Sequence, residues 1–272
     1  MLGRDVVSIA TARGHGVRAY ARAELDIVDA EAVHATVLET APDAVINCAA
    51  WTNVDGAESE AEAALAVNGT GAGHVAAASV GVGAWLVHVS TDYVFDGSKR
   101  RPYVESDPVD PHSQYGIGKL AGERAVAQAA PDSHTTVRSS WLFGTGGPCF
   151  PKAILKAARE RDELTVVDDQ VGCPTFTGHL AGALLELAEK RVPGVVHVAG
   201  GGHCSWNEFA KEIVASAGLS TPVLPGSTAD LGRPAPRPAY SVIVSERCSE
   251  GVPVLPHWHE GLAEFIESGV PT

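Results

Sequence analysis

Trp85-Leu86-Val87-His88-Val89-Ser90-Thr91-Asp92-Tyr93-Val94-Phe95-Asp96-Gly97 opens as an apolar run of strand length and closes on polar residues. It reads as a buried strand over Trp85–Ser90 that delivers Ser90 and Thr91 at its carboxyl end. Upstream, the apolar run Ala44-Val45-Ile46-Asn47-Cys48-Ala49-Ala50 reads as a second buried strand. Ser59 to Ala78 is Ala-rich, helical in composition, and followed by Gly81 and Gly83. Closer to the N-terminus, Val6 to Arg13 reads as the end of a helix closed by Gly14 and Gly16, Val17–Tyr20 as a short strand, and Asp29 to Glu39 as a helix. Downstream, past a loop with Pro102, Pro108 and Pro111, a helix begins near Ser113 and runs to about Ala130, before a strand over Thr135–Arg138. Strands and helices that alternate at these lengths imply βαβ units and a parallel α/β sheet covered on both faces. Ligands of such sheets sit at the carboxyl ends of the strands, where Asn47–Ala50 and Ser90–Thr91 both fall.

The pattern changes after Gly144-Thr145-Gly146-Gly147-Pro148. Phe150 to Arg161 and Gly178 to Lys190 read as helices, Leu164–Val167 and Val195–Val198 as strands, and Pro222 to Pro238 as loop. Ser205-Trp206-Asn207-Glu208 is a capping-box signature for a helix over Trp206 to Ala217. A lobe boundary is expected near Gly147.

The 272 residues carry 20 basic and 33 acidic side chains, a formal charge of −13. Such a balance disfavours a nucleic-acid polymer or an anionic membrane as partner. Cys48, Cys149, Cys173, Cys204 and Cys248 are odd in number and contain no C-x-x-C pair, which predicts reduced thiols and a cytoplasmic location. No apolar segment reaches the ~18 residues of a membrane span.

Tyr115 and Lys119 stand four residues apart on the expected helix, so an ammonium shares a face with a phenol. A unit charge about 5 Å from the phenol, at an effective dielectric of ~20, favours the phenolate by roughly 3 kcal/mol, about two pKa units. That makes Tyr115 a candidate general acid for the alkoxide formed when a hydride reaches a ketone. An upstream hydroxyl such as Thr91 is a candidate to hold the carbonyl oxygen. Gly116, Gly118 and Gly122 thin one side of the same helix, for a cofactor or for a neighbouring backbone.

Taken together, Val45 to Asp55, Ser90 to Gly97, Tyr115 to Glu123, Arg138 to Trp141, Val166-Val167-Asp168-Asp169-Gln170-Val171-Gly172-Cys173-Pro174-Thr175 and Arg237 to Ser241 carry a resemblance. The chain resembles the extended short-chain dehydrogenase/reductase superfamily and, within it, the dTDP-4-dehydrorhamnose reductase family. The resemblance implies a Rossmann-like, doubly wound parallel sheet over residues 1–147, the dinucleotide-binding domain, with 148–272 mainly a smaller substrate-binding lobe. It implies NADPH or NADH as cofactor and the C4 ketone of a dTDP-sugar, dTDP-4-dehydro-L-rhamnose, as substrate. Thr91 is then assigned to carbonyl polarisation, Tyr115 to proton donation, and Lys119 to the nicotinamide ribose and the phenol's pKa. Gly3, Asp26, Ile27, Ala49 and Ala50 would lie by the cofactor, and Arg22 falls where a 2′-phosphate could be met, which favours NADPH. Trp141 would border the sugar pocket, while Pro174, Thr175 and Arg237 would face the nucleotide end of the substrate. Blander roles stay open beside these: a turn or cap for Asp26, core for Trp141, a solvated loop for Arg237.

The family opens with a strand and a Gly-x-x-Gly-x-x-Gly turn, of which only the last glycine has a counterpart here, Gly3. Met1 is therefore expected to be an internal methionine of a longer native protein, and a chain starting there to bind cofactor weakly or fold poorly. Intact mass of the protein from its source tests this expectation. Two further readings are a 4-ketoreductase for another dTDP-4-keto-6-deoxyhexose and a non-catalytic, cofactor-binding regulatory subunit of the methionine adenosyltransferase type. Family members are monomers or homodimers. His257-Trp258-His259 and His203-Cys204 lack a spaced partner set, so no metal site is assigned. Ser139-Ser140 has no nucleophile-elbow context.

Overall fold

The computed structural model describes residues 1–269. The chain begins with α1 (Leu2–Ala12), closed by Gly14 at a φ of 84°, and continues through α2 (Ala30–Thr40) to β1 (Ala44–Asn47). A helical stretch follows as α3 (Val54–Ser59), α4 (Ala61–Leu65), a π-helical segment (Ala66–Gly71) and α5 (Ala72–Gly81). Next come β2 (Trp85–Thr91), α6 (Gln114–Ala129) and β3 (His134–Ser139). After β4 (Leu142–Phe143), α7 (Phe150–Glu160), β5 (Leu164–Val167), β6 (Val171–Gly172) and β7 (Thr175–Phe176), the chain forms α8 (Thr177–Lys190) and β8 (Gly194–His197). It ends with β9 (Cys204–Ser205), α9 (Trp206–Ser216), β10 (Val223–Gly226), α10 (Thr228–Leu231) and α11 (Trp258–Glu267).

The main sheet runs β1-β2-β3-β8, all parallel, with Val45 opposite Leu86 and Thr91 opposite Ser139. Alternate residues of β2 serve opposite faces, as the period of a strand requires. Trp85 and Val87 pack with Leu2, Val6, Leu180 and Leu184 of α1 and α8. Leu86 packs on the other side with Val33, Val75, Ala76 and Val126 of α2, α5 and α6. Each such side chain removed from water contributes about 1.5–3 kcal/mol, and this two-sided burial is why β2 reads as an unbroken apolar run.

Beside the sheet lies a second core of Phe143, Phe209, Trp258, Leu262 and Phe265, built on α7, α9 and α11. β5 and β10 pair in parallel there, and the Ser205/Glu208 capping box starts α9 as its sequence signature predicts. Residues 177–197 return to the main sheet, where α8 covers α1 and β8 pairs with β3. The chain thus leaves the main sheet near Gly147 and comes back to it before finishing the second core.

Three elements differ from expectation. Val17–Tyr20 forms no strand, because no strand lies alongside to pair its backbone; among the described residues β1 is the sheet's edge. The helix expected over Ser59–Ala78 is broken at Glu60 and widened over Ala66–Gly71. Within that widened turn Asn68 accepts from the Trp51 N–H (2.8 Å) and donates to the Trp51 carbonyl (3.1 Å), pinning the loop after β1. π-helical turns of this kind gather at functional sites. The expected loop Pro222–Pro238 contains β10 and the short α10, since Val223–Gly226 finds β5 as a partner.

Candidate active site

The carboxyl end of β2 and the first turns of α6 meet at the top of the sheet. Ser113 caps α6 by accepting from the Gly116 N–H (3.1 Å), which fixes where the helix begins and so where Tyr115 projects. Two glycines of α6, Gly116 and Gly122, face backbone. A Cβ at Gly116 would collide with the Tyr93 carbonyl and one at Gly122 with the Asn68 carbonyl, so both bring the helix against its neighbours.

Thr91 ends β2 beside Tyr115, and Lys119 lies one turn further along α6. The phenol of the half-buried Tyr115 lies beside the Thr91 hydroxyl and meets Tyr93 edge-on at 5.6 Å. Burial pushes it up to about 12, and the negative charge of Asp92 adds to the rise. The lowering expected from Lys119 is absent. Lys119, only 2% exposed, turns its ammonium to the Val89 carbonyl at 2.7 Å, and burial brings its pKa down to about 8. Spacing along a helix sets which side chains share a face; the nearest acceptor decides where a long one points.

A buried polar layer supports the trio. Glu123, one turn beyond Lys119, accepts from Ser90 Oγ (2.6 Å) and from both Nε (2.9 Å) and Nη2 (2.7 Å) of Arg138. Glu123 and Arg138 are each 5% exposed, and the fork geometry satisfies both charges away from water. Asp92 accepts from Thr91 (3.0 Å) and Ser140 (3.2 Å), and burial raises it to about 6. Sequence reasoning gave no role to Asp92, Glu123 or Arg138. The available signal was an ionisable residue ending a run that must be buried, as Arg138 does after Thr135-Thr136-Val137.

The residues expected near a dinucleotide occupy the same edge. Ala49 is exposed and Ala50 half-buried in the loop after β1, and Gly3 sits on the first turn of α1 with Cys48 Cβ as the nearest neighbour to an added Cβ (3.7 Å). No side chain caps α1, and the Arg4 N–H donates to the Met1 carbonyl (3.0 Å). Small side chains and the Tyr115/Lys119 pair fit a dinucleotide laid across the strand ends. Ile27 is buried against Gly71 rather than presented. Asp26 accepts from the Val28 N–H (3.1 Å), a turn contact, and lies 3.7 Å from the exposed Arg22.

Thr175 is fully buried, its hydroxyl donating to the Cys173 carbonyl (3.1 Å) and accepting from the Gly200 N–H (3.0 Å), next to the buried Pro174. Trp141 holds a φ of 46° and stacks on Trp206 with centroids 3.5 Å apart. Arg237 grips Asp55 through Nη1 (3.0 Å) and Nη2 (2.9 Å), and lines both a 30 Å³ cavity with Tyr93, His112 and Ser113 and a 120 Å³ cavity with Gln170 and Thr228.

The model of the family described as RmlD substrate binding domain matches residues 1–270. The chain belongs to this family. It is 44% identical over 271 residues to the dTDP-4-dehydrorhamnose reductase of Streptomyces griseus, covering 97% of this chain and 89% of that one. It is 38% identical over 274 residues to the dTDP-4-keto-6-deoxy-D-glucose reductase of Streptomyces niveus, covering 97% and 92%. Among solved structures, the dTDP-4-dehydrorhamnose reductase of Bacillus anthracis in complex with NADP superposes with a TM-score of 0.95 at 38% identity, covering 98% of this chain and 95% of that one. The Rossmann-like α/β architecture of this RmlD-family chain is thereby shown.

Among the described residues, no group of three or more His, Cys, Asp or Glu is placed to hold a metal, and the five cysteines are free. His257 and His259 stack on each other at 4.8 Å without a further ligand. Among the described residues, no helix is long and apolar enough to cross a membrane.

Proposed function

We propose that the chain is an NAD(P)H-dependent oxidoreductase that reduces the C4 ketone of dTDP-4-dehydro-L-rhamnose, giving dTDP-L-rhamnose. The observation that carries this reading is the convergence of Thr91, Tyr115 and Lys119 at the carboxyl end of β2 in a chain of this family. NADPH, when bound, supplies the hydride. Tyr115 gives its proton to the C4 oxygen as that oxygen gains charge, and a phenol at about 12 carries that proton at neutral pH. Lys119, held by the Val89 carbonyl, keeps a positive charge under the site below about pH 8.

Gly3, Ala49 and Ala50 form the cofactor side of this reading, Arg22 and Asp26 its adenosine end. Trp141 walls the sugar, and Arg237 meets the nucleotide. Pro174 and Thr175 act from beneath, through the Gly200 backbone, rather than by direct contact. Residues 1–147 supply most of the cofactor side and 148–272 most of the substrate side. We place the enzyme in the cytoplasm, as a monomer or homodimer.

The likeness to the S. niveus enzyme favours a second substrate, another dTDP-4-keto-6-deoxyhexose, on the same machinery. The retained Thr91, Tyr115 and Lys119 weigh against a purely regulatory subunit. NADPH oxidation followed at 340 nm with dTDP-4-dehydro-L-rhamnose and with a second 4-keto sugar tests the reading. Turnover is expected with the first, and Tyr115→Phe should lower kcat by ~10²–10⁴-fold. Wild-type inertness toward both sugars overturns it.

A further inference from the structure

We propose that Trp206 is a positioning residue that acts through Trp141: its indole clamps the Trp141 ring as a wall of the sugar pocket, so that the second unit of the molecule sets how tightly the sugar is held. This rests on the reductase reading above, in which Trp141 walls the sugar, and adds a residue to it.

Trp141 follows the end of β3 by two residues, and the last residue of β3, Ser139, stands opposite Thr91. Its backbone has a φ of 46°, in the left-handed region that a bulky side chain rarely adopts. Such a conformation persists only where the surroundings hold it. Three contacts do so here. The Trp141 carbonyl accepts from the Thr175 N–H (3.2 Å). The Nε1 edge of the ring rests on Gly172, where an added Cβ would collide with Cε2, Nε1 and Cζ2. One face of the ring lies flat on Trp206, with centroids 3.5 Å apart and planes 4° from parallel.

Trp206 is itself anchored. It is the first residue of α9, directly after Ser205, which closes the capping box with Glu208, and its indole packs on Phe150 at 4.4 Å and on the second core. Gly172 pairs with Cys204 across β6 and β9, so one short ribbon supports both the edge contact and the stack. With one face and one edge engaged, the half-buried Trp141 is left with its remaining surface for a ligand. An aromatic face suits the C–H face and the C5 methyl of a 6-deoxy sugar, which are apolar.

Three measurements test the proposal together: kinetics with NADPH and dTDP-4-dehydro-L-rhamnose, inhibition by dTDP alone, and fluorine NMR of protein labelled with fluorotryptophan. Trp206→Ala should raise KM for the sugar nucleotide about 10-fold, with kcat within about threefold and the Ki of dTDP, which carries no sugar, unchanged. Trp206→Phe keeps an aromatic face and should recover most of the loss. In a Trp141→Ala background, Trp206→Ala should add little, as for two residues that act as one unit. The chain has five tryptophans, and among the described residues Trp141 and Trp206 are the one pair of them in ring contact. Trp206→Ala should therefore move the Trp141 resonance and leave those of Trp51 and Trp85 in place. Should that variant not fold, Trp206→Leu keeps apolar volume, removes the stack and carries the same expectations. An unchanged KM, a dTDP Ki that rises in step with it, or an unmoved Trp141 resonance overturns the proposal. An inert wild type sinks the reductase reading alone, and the clamp is then decided by whether the Trp141 resonance moves.

Discussion

Lys119 shows how far one residue departs from its sequence expectation. Spacing put an ammonium beside a phenol; the Val89 carbonyl draws it away, and burial lowers its pKa to about 8. Between that value and the 10.5 of an exposed lysine, the folded state holds fewer protons than the unfolded one, so stability rises with pH across this window. Below about pH 8 the full cost of the buried charge is present. Lys119→Met should therefore stabilise the fold at pH 7 by about 1–3 kcal/mol, while activity falls. Urea unfolding at pH 7 and pH 10 checks the sign, because the variant's advantage should shrink at the higher pH. The proposed catalytic set could be named from the sequence because Tyr115, Lys119 and Thr91 belong to short local patterns. Asp92, Glu123 and Arg138 could not, since Asp92 meets Ser140 48 positions away and Glu123 meets Ser90 and Arg138 33 and 15 positions away.

At the scale of elements, helix α6 is placed by what its glycines leave out. Gly122 rests on the carbonyl of Asn68, inside the widened turn before α5, and Asn68 in turn holds the Trp51 backbone. Gly122→Ala forces that carbonyl to move and should cost about 1–3 kcal/mol in urea unfolding. It should also lower kcat, because α6 carries Tyr115 and Lys119. An alanine that is neutral in both measurements would show that the contact has slack. Composition made a helix over Ser59–Ala78 visible. The π-helical turn inside it was hidden, because it answers to Trp51 and Gly122, both distant in sequence. The same reason explains β10, whose Pro222–Pro238 context reads as loop until β5 lies beside it.

For the whole molecule, the two units are joined across the site by an ion cluster. Asp55, on the first turn of α3, binds Arg237 and Arg233 from the strap that follows α10. Those guanidiniums, Arg237 first, hold the Asp55 carboxyl down to about 2. The pair's contribution is complete above about pH 4 and is lost as pH falls through about 2. Asp55 is partly exposed, so Asp55→Asn should change global stability by less than about 1 kcal/mol. The strap over 232–238 should nevertheless be cleaved sooner in limited proteolysis at pH 7, and KM for the sugar nucleotide should rise. Unchanged cleavage and KM would show that the strap is held elsewhere. The sequence by itself determined the alternation of strands and helices, the family, and the local motif Tyr115-x-x-x-Lys119, because all of these are written in neighbouring residues. Tertiary structure alone decided that residues 177–197 return to the main sheet, that Arg237 meets Asp55, and that Arg138 meets Glu123. Those outcomes depend on which distant groups reach each other once water is excluded, and no local period encodes that.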